Sequence, residues 1–469
     1  MKHPEDYFPL FTSPIWQQQK IYYQQKGAQA WNFVPFLYTS NKFMANWMAD
    51  IIVNLAQTHP EENIQIVELG SGHAMFSYFL IQRLKQLKVD VTFTITDLIQ
   101  SNLEYLQALP QWSELPVNWM VVDDINDLKQ VADFNGVSFV IANYFYDSLP
   151  NVGYCKVDGE WQSAYLATKK KINKVEGMVD FDLSFISKSC EVPDSHKKLL
   201  DRYKDTVTHA LIPEAVKQIM QLFNQSKKPT YFLANDKGYL EKEKMNYAAN
   251  YAYNCDGAMA TMVNFDAIKY WTEHEFDGFF VANDGASSDS HFAIFAINSN
   301  QVQQHQLVKM ALSGAPWHTV FKLFMFFEEQ PELSFDDACF YVEASHYDEA
   351  MLSRISGFII NQVKAHGELI AQLRPLLHKV METYYWHPAR IHYYYTMIDM
   401  LTLCNNYEAA MKLIVQYKHL VPAQYDLILR EGVVFYRTKN YEKAQEKFEK
   451  ALKIKPECKE AHRYLELME

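Results

Sequence analysis

Residues 64–74 read Ile-Gln-Ile-Val-Glu-Leu-Gly-Ser-Gly-His-Ala, and this stretch decides the fold. Its first six residues predict a β-strand over 64–69, and the two glycines predict a sharp turn out of that strand. A helical pattern of apolar residues then continues through Leu87. A strand, a glycine turn and a helix in this order suit a nucleotide-binding α/β domain, although G-x-G alone would fit any tight strand–helix turn.

Further strand-like runs follow, and each ends at polar residues. The runs are residues 91–96, 119–122, 137–142 and 230–233, with a last one at 291–297. The polar residues at or just beyond the ends of the first four are Asp97, Asp123, Asp124, Asn143 and Asp236. Strands that alternate with helical segments predict a doubly wound α/β sheet, in which ligands bind outside the carboxyl ends of the strands.

The acid that follows the second strand favours a nucleotide cofactor. Asp97 lies 27 positions beyond Gly70, where such folds place the carboxylate that binds the ribose hydroxyls. Dinucleotide dehydrogenases and S-adenosylmethionine methyltransferases both fit this spacing; Glu68 and the acids after the third strand favour the methyltransferases. The alternative is an α/β domain with solvated loop acids. The predicted cofactor-binding residues are Glu68, Gly70, Ser71, Gly72, Asp97, Asp123 and Asp124.

Residues 143–150, Asn-Tyr-Phe-Tyr-Asp-Ser-Leu-Pro, follow the strand predicted over 137–142. Here the sequence resembles the MidA-like methyltransferases, which include the mitochondrial complex I assembly factor that methylates arginine. That family has Asn-Glu, two aromatics, Asp, a small residue, Leu and Pro at this place. Residues 36–43, 232–239 and 256–265 also resemble family stretches, in the same order. The resemblance covers about residues 30–297 and implies a Rossmann-like methyltransferase domain that binds S-adenosylmethionine.

Two residues of this segment are predicted to act on the methyl acceptor. Methyl transfer is an in-line displacement, so the enzyme has to align the acceptor and exclude water. We predict that Asp147 orients the acceptor and that Asn143 positions it through side-chain hydrogen bonds. The resemblance implies an arginine nitrogen as acceptor. However, Tyr144 replaces the family's glutamate, so one carboxylate suited to a guanidinium is missing.

Beyond residue 298 the sequence reads as helical, after a polar, linker-like stretch over 298–306. Residues 406–410, Asn-Tyr-Glu-Ala-Ala, recur 34 positions later as Asn-Tyr-Glu-Lys-Ala, which is the tetratricopeptide period. The second copy also carries the small, aromatic and proline positions of that motif: Gly432, Phe435, Ala444, Phe448, Ala451 and Pro456. Two unrelated helical hairpins are the alternative. Because two repeats seldom suffice, helices between 317 and 400 are expected to complete the stack.

Composition excludes several other classes of protein. The 469 residues carry a net charge of −12, which argues against a long basic groove for nucleic acid. No apolar run approaches the roughly 20 residues of a membrane span, and the start lacks the apolar core of a signal peptide. The six cysteines are scattered, without C-x-x-C, so we expect free thiols, no metal site and a cytoplasmic location.

The predicted organisation has three parts. Residues 1–60 form an aromatic, helical segment that packs on the catalytic domain, 61–297 form the methyltransferase domain, and 307–469 form the tetratricopeptide domain, clearest over 391–469. The predicted function is methyl transfer to a protein, with the repeats recruiting the substrate or a partner. Two alternatives stay open: an inactive methyltransferase-fold scaffold for protein interaction, and a methyltransferase that acts on a small molecule.

Overall fold

The computed structural model describes residues 7–27, 40–172, 179–247, 253–255, 258–284, 290–313, 333–386, 391–420 and 424–468. Contacts divide the chain into two compact units. The α/β unit comprises Met1–Ser40 with Met44–Thr319, and the helical unit comprises Asn41–Phe43 with Val320–Glu469. Each unit contains its own cluster of buried apolar side chains.

Strands are found in the α/β unit. In chain order they are β1 (Phe8–Pro9), β2 (Ile64–Leu69), β3 (Thr92–Asp97), β4 (Val117–Val121), β5 (Val137–Asn143), β6 (Val152–Val157), β7 (Glu160–Ile172), β8 (Val179–Ser189), β9 (His209–Ile212), β10 (Thr230–Tyr239), β11 (Tyr253–Cys255), β12 (Ala258–Ala260), β13 (Val263–Asn264), β14 (Phe279–Asp284) and β15 (Ser290–Ile297). The helices before residue 319 are α1 (Ile15–Lys26), α2 (Lys42–Ala56), α3 (Met75–Gln86), α4 (Gln100–Gln107), α5 (Lys129–Ala132), α6 (Asp194–Tyr203), α7 (Glu214–Asn224), α8 (Phe265–His274) and α9 (Val302–Ser313).

The main sheet has the strand order β14-β15-β10-β5-β2-β3-β4, with β13 pairing with β10. Its five strands from β4 to β10 are parallel, and β15 runs antiparallel to both β10 and β14. Read from the β4 edge, the parallel strands follow the doubly wound order 3-2-1-4-5. The predicted α/β fold class is therefore confirmed, and the strand predicted over 64–69 has the predicted bounds.

A second, antiparallel sheet was not predicted from the sequence. It has the order β1-β7-β6-β9, and β8 pairs with the outer side of β7. In β7 the buried Ala164 and Leu166 pack with Leu10 and Ile15, while Tyr165 between them and residues 160–163 before them are more exposed. Such a half-buried strand has a weaker apolar signal than the buried strands of the main sheet. The three lysines at 169–171 thus lie in a strand, although such a run suggests a solvated loop.

The described residues of the helical unit contain helices and no strand. Its helices are α10 (Phe335–Ala344), α11 (Glu349–Ala365), α12 (Ile370–Glu382), α13 (Ile391–Leu403), α14 (Tyr407–Leu420), α15 (Tyr425–Arg437), α16 (Tyr441–Ile454) and α17 (Lys459–Glu466). This confirms the second half of the predicted fold class. One prediction was wrong: α9 already begins at Val302, so residues 302–306 are helical rather than linker. The reason is that Gln304, Val308 and Leu312 recur every four residues and are buried on one face of the helix.

The 34-residue repeat produces the same local geometry twice. Asn406 accepts a hydrogen bond from the N–H of Ala409 at 3.3 Å, and Asn440 accepts one from Lys443 at 3.4 Å. The residue before each asparagine is left-handed, with φ of 57° and 61°. Each asparagine therefore starts the second helix of a hairpin by satisfying one of its free N–H groups.

Small residues let the paired helices of the last hairpin approach each other. A Cβ placed on Gly432 of α15 would lie 2.7 Å from the Phe448 ring of α16, which is too close. The core around this crossing is formed by Ile428, Leu429, Ala444, Phe448 and Ala451. Glycine at 432 is thus required by packing rather than by backbone conformation, as the tetratricopeptide pattern predicts.

Candidate functional site

The parallel strands of the main sheet end in a row of polar residues on one face. Residues two apart on a strand share a face. Glu68 pairs with Ile95 and Ile141, and Leu233 pairs with Ile141, so this inner row is apolar apart from Glu68. Two positions further along the same strands come four residues that we call the strand-end row: Asp97, Gly70, Asn143 and Asn235. This face of the sheet thus changes from apolar to polar side chains at the carboxyl ends of its strands.

A cavity of about 330 Å³ opens at this edge, a volume within the range of small-molecule sites. Four predicted cofactor-binding residues belong to its wall: Gly70, Asp97, Asp123 and Asp124. Apolar side chains complete much of the lining, among them Leu98, Ile99, Val122, Ile125, Leu128 and Leu149. The other predicted site residues lie outside that lining: Glu68, Ser71, Gly72, Asn143 and Asp147. A cavity wall that combines carboxylates with apolar side chains suits a ligand that has both hydroxyl groups and a flat ring.

Asp97 connects the glycine loop to the end of β3. Its Oδ2 accepts hydrogen bonds from the Gly72 N–H and the Asn102 Nδ2, both at 3.1 Å, and its Oδ1 accepts one from the Ile99 N–H at 2.9 Å. Asn102 also donates to the Gly72 carbonyl at 2.6 Å. Burial raises the pKa of Asp97 to about 6. The backbone N–H of Leu98 is a further donor to this carboxylate, and together these donors oppose the effect of burial on its pKa.

The glycine loop approaches the cavity without side chains. Gly70 and Gly72 are left-handed, with φ of 61° and 58°, a conformation that glycine adopts without strain. A Cβ on Gly70 would lie 2.6 Å from the Phe145 ring. Ser71 is buried and its N–H donates to the Thr96 carbonyl at 2.8 Å. The conformation of the loop is thus fixed by its hydrogen bond to Thr96 and by its contact with Phe145, and a larger residue at 70 would displace the Phe145 ring.

Glu68 lies under α3 rather than in the cavity wall. Its carboxyl group is buried and accepts a hydrogen bond from the Ser77 hydroxyl. Burial raises the pKa of Glu68 to about 8, and the nearby Asp97 adds to the increase. At neutral pH Glu68 therefore carries its proton in the folded protein. Any role in cofactor binding would have to act through the glycine loop that follows it.

Asp123 and Asp124 form the far wall of the cavity and differ from Asp97 in exposure. The Asp124 Oδ1 accepts a hydrogen bond from the Asn126 N–H at 2.8 Å and so starts the short turn over Ile125–Leu128. Asp123 pairs with Lys20, a residue of α1. Trp16, Gln19 and Tyr23 of the same helix also line the cavity. Sequence reasoning missed α1 because no local motif marks residues that lie so far from the glycine loop.

The turn after β5 is held by a carboxylate from β10. The Asp236 Oδ2 accepts hydrogen bonds from the N–H groups of Phe145, Tyr146 and Asp147 at 3.1, 2.7 and 3.2 Å. Its Oδ1 accepts one from the Lys237 N–H at 3.1 Å. Asp236 therefore positions the segment that contains Asp147, one of the two predicted acceptor residues. The sequence analysis noted Asp236 at a strand end but assigned it no partner.

Asp147 and Asp236 form a buried pair of carboxyl groups. Burial raises the pKa of Asp147 to about 7, and the Lys237 ammonium opposes that increase. Burial and the neighbouring Asp147 also raise the pKa of Asp236, while its backbone N–H donors oppose the increase. Two carboxyls in contact in a buried site share one proton near neutral pH. The pair can therefore both donate and accept a hydrogen bond.

Asn143 ends β5 beside Asn235 of β10, with which it is in register. Tyr144 follows in the left-handed region at φ 49° and lines the cavity, and its N–H donates to the Asn235 carbonyl at 2.8 Å. The structure therefore places Asn143 next to the cavity, one strand beyond Gly70. Of the stretches that resemble the MidA-like family, residues 36–39 and 256–257 lie outside the described residues.

The described residues show neither a metal-binding cluster nor a membrane-spanning helix. Within those ranges, no group of three or more His, Cys, Asp or Glu side chains is arranged to hold a metal ion. None of the helices that the structure describes is both long and apolar enough to span a bilayer. Five cysteines there are free thiols: Cys155, Cys190, Cys339, Cys404 and Cys458.

Three solved structures are similar to this chain at low sequence identity. A Burkholderia thailandensis protein, described as a COG1565 superfamily member and candidate methyl transferase and solved with S-adenosyl-homocysteine, has 14% identity and a TM-score of 0.46, over 75% of this chain and 84% of its own. A native structure of a COG1565 superfamily protein from the same organism has 14% identity and a TM-score of 0.41, over 64% and 95%. A candidate class I S-adenosylmethionine-dependent methyltransferase from Listeria monocytogenes has 9% identity and a TM-score of 0.31, over 66% and 80%.

Sequence comparison identifies the repeat region. No curated protein matches the chain significantly. Residues 426–458 match the family model of the tetratricopeptide repeat. This match contains α16 and most of α15, which form the helical hairpin of the second predicted copy. The repeat predicted from the 34-residue spacing is therefore confirmed for that copy.

Proposed function

We propose that the chain is an S-adenosylmethionine-dependent methyltransferase. Residues 61–297 would form the catalytic domain and the repeats over 307–469 would recruit a protein substrate or partner. The observation that carries the proposal is Asp97, a buried carboxylate at the end of β3 that forms part of a 330 Å³ cavity wall beside a left-handed glycine loop. The proposed site residues are Asn143 and Asp147 for the acceptor, and Glu68, Gly70, Ser71, Gly72, Asp97, Asp123 and Asp124 for the cofactor.

The cavity wall fits this cofactor in three respects. The Asp97 carboxylate in the wall would accept a hydrogen bond from a ribose hydroxyl, Gly70 presents backbone without a side chain, and the apolar residues between Leu98 and Leu128 suit a purine ring. When bound, S-adenosylmethionine supplies an electrophilic methyl group on a sulfonium. Asp123 and Asp124 lie where they can bind polar edges of the nucleoside.

The chain's own residues would align the acceptor and exclude water. Tyr144 and Phe145 are cavity-lining aromatics next to the glycine loop, and they would shield the reacting atoms from solvent. Asn143 would position the acceptor nitrogen and Asp147 would orient it. As the nitrogen gains the methyl carbon, the carbon–sulfur bonding pair stays on sulfur and the nitrogen loses one proton. The carboxyl pair of Asp147 and Asp236, which shares one proton, would accept that proton.

The family resemblance suggests a protein arginine nitrogen as the acceptor. Two other functions stay open because Tyr144 occupies the family's glutamate position and because the repeats are suited to peptide binding. One is an inactive scaffold for protein interaction, and the other is methyl transfer to a small molecule. Transfer of a labelled methyl group in whole-cell lysate separates the three, since label would enter protein bands, small molecules, or neither despite cofactor binding.

The cofactor assignment is tested by calorimetry with S-adenosylmethionine. Asp97→Ala removes the carboxylate that would bind the ribose, so we expect affinity to fall about 10- to 100-fold, the equivalent of one or two charge-assisted hydrogen bonds. Asp133→Ala, at an exposed acid outside the cavity wall, is the control and should bind as the unaltered chain does. Equal affinity in both variants, with an unchanged melting temperature, would remove Asp97 from the cofactor site.

A further inference from the structure

Two neighbouring asparagines of the strand-end row carry buried amide atoms without partners. The Asn235 side chain is fully buried, and in the part of the chain that the structure describes neither its Oδ1 nor its Nδ2 has a hydrogen-bond partner. The Asn143 Nδ2 is buried and unpaired in the same way. Asn143 and Asn235 are in register on adjacent parallel strands, so their side chains share one face at a spacing of about 4.8 Å.

These unpaired amide atoms do not help the protein to fold. A buried polar group without a partner lowers stability, because it has lost its hydrogen bonds to water and gained none in the protein. The residues two positions earlier on the same strands and the same face are Ile141 and Leu233, which are fully buried and apolar. Leucine in place of Asn235 would continue that apolar row. The amides therefore call for an explanation other than packing.

The two amides adjoin the proposed catalytic site. Gly70, the next member of the strand-end row, lies in the cavity wall. Tyr144, which lines the same cavity, donates its N–H to the Asn235 carbonyl at 2.8 Å. On the other side of Asn235 in register is Phe292, whose ring centroid lies 4.8 Å from that of Trp47. Across the strands the two asparagines thus lie between Gly70 of the cavity wall and Phe292 of the aromatic pair.

We infer that Asn143 and Asn235 form the acceptor subsite and that it binds a primary carboxamide, the side-chain group of glutamine or asparagine. The three unpaired atoms are two donors and one acceptor, so the ligand must supply both kinds of partner. Rotating the Asn143 amide by half a turn gives one donor and two acceptors, and the requirement stays the same. A guanidinium has donors only and a carboxylate has acceptors only, whereas a carboxamide has both.

This inference rests on the proposed function and changes its acceptor. The family resemblance implies arginine, which is bound best by carboxylates in bidentate pairs. The Asp236 carboxylate is already used by backbone N–H groups, and Tyr144 stands where a second carboxylate is expected. The subsite therefore offers neutral amides where arginine would need charge.

The test uses three small probes of similar size: propionamide, propionate and propylguanidinium. Their binding to the full chain loaded with S-adenosylhomocysteine is measured by saturation-transfer NMR. We expect a saturable signal from propionamide alone, reduced about tenfold in Asn235→Leu and in Asn143→Leu, the equivalent of one lost hydrogen bond in a buried site. Asn118→Leu, at an exposed asparagine of β4, is the matched control and should leave the signal unchanged.

Thermal unfolding and calorimetry decide between this inference and its rivals. Because Asn235→Leu replaces unpaired amide atoms by an apolar group, its melting temperature should equal or exceed that of the unaltered chain. A lower melting temperature would mean that Asn235 is structural. Loss of cofactor affinity in that variant would place the amides in the cofactor site. Binding of propylguanidinium or propionate, or no propionamide signal, would also overturn the inference. If the unaltered chain binds no cofactor, the proposed function fails, and the probes are then measured without it.

Discussion

Asp236 in the α/β unit and Asn440 in the helical unit both accept hydrogen bonds from backbone N–H groups, but over very different sequence distances. Asp236 accepts hydrogen bonds from N–H groups about ninety residues earlier, at Phe145, Tyr146 and Asp147. Asn440 accepts one from Lys443, three residues later in its own hairpin. Both satisfy N–H groups that begin a helical turn. In one unit the acceptor comes from another strand, and in the other it comes from the adjoining turn.

The difference determines what each side chain supports. Asp236 is fully buried and fixes the turn that carries Asp147, so its loss would disturb the acceptor side of the site. Asn440 is exposed and supports the start of one helix. When an exposed N-cap side chain is removed, water can take over its hydrogen bond. When a buried carboxylate is removed, several N–H groups are left without a partner. The α/β unit should therefore be more sensitive to single polar substitutions than the helical unit.

Asp236→Ala is expected to cause the largest loss of stability. It leaves the N–H groups of residues 145–147 without an acceptor in a buried site, so the free energy of unfolding should fall by about 3 kcal/mol. Asn440→Ala should reduce it by only about 1 kcal/mol, as is usual for an exposed N-cap. Calorimetric unfolding of both variants measures the contrast. Equal losses of unfolding free energy would show that the burial of the acceptor and its sequence distance do not determine its contribution to stability.

Glu68→Gln tests how strongly burial acts on a polar side chain of the α/β unit, with pH as the variable. The folded-state pKa of Glu68 is raised to about 8, so the folded protein keeps a proton that the unfolded chain releases. The contribution of Glu68 to stability is therefore greatest at low pH and declines as pH rises from about 4.5 to 8. Glutamine removes this decline. The variant should be more stable than the unaltered chain at pH 8.5, by roughly 4 kcal/mol, because each unit of pKa shift corresponds to about 1.4 kcal/mol, and nearly equal to it at pH 5.

The control for this pH dependence is Glu104→Gln, at an exposed position of α4. Melting temperatures of both variants are measured at pH 5 and at pH 8.5. Asp97, with its pKa raised to about 6, contributes a decline of the same sign at lower pH, and both variants keep it. If Glu68→Gln follows the unaltered chain at both pH values, Glu68 is ionised in the folded protein and the effect of burial is overcome.

Sequence distance also explains what could be predicted. β2 and its glycine turn are encoded by consecutive residues, and the 34-residue repeat is visible because each hairpin repeats its own cap and its own small residues. The position of Asp97 followed from the general rule that ligands bind at the carboxyl ends of parallel strands. These are features in which a local pattern fixes the local structure.

The missed features depend on pairing between distant segments. Lys20 reaches Asp123 from a helix about a hundred residues earlier, and nothing around Lys20 indicates that partner. Asn235 gains its meaning from its register with Asn143, which is set only when β10 pairs with β5. The antiparallel sheet around β7 was missed because its half-exposed strands lack a continuous apolar run. The sequence therefore predicted the sheet edge at which the cavity opens and four residues of its wall, but not the residues that distant segments contribute there.

The smallest predicted effects are in the helical unit, where packing between neighbouring helices decides the sign. Gly432 and Gly357 both lie within helices, α15 and α11, where alanine is intrinsically more stable by about 1 kcal/mol. A Cβ at 432 would lie 2.7 Å from Phe448, whose buried ring is stacked on Tyr464 with centroids 5.0 Å apart. A Cβ at 357 would meet nothing within 4 Å. The two glycines thus differ in surroundings and not in backbone role.

We therefore expect opposite results from the same substitution. Gly357→Ala should stabilise the helical unit by about 0.5–1 kcal/mol, through helix propensity alone. Gly432→Ala should destabilise it by about 1 kcal/mol, because displacing the Phe448 ring outweighs the propensity gain. Hydrogen exchange of the α15–α16 amides gives the change at the crossing, and that of α11 gives the change at Gly357. A gain at both positions would mean that the tetratricopeptide glycine is tolerated rather than required, and that the last hairpin has room for a methyl group between its helices.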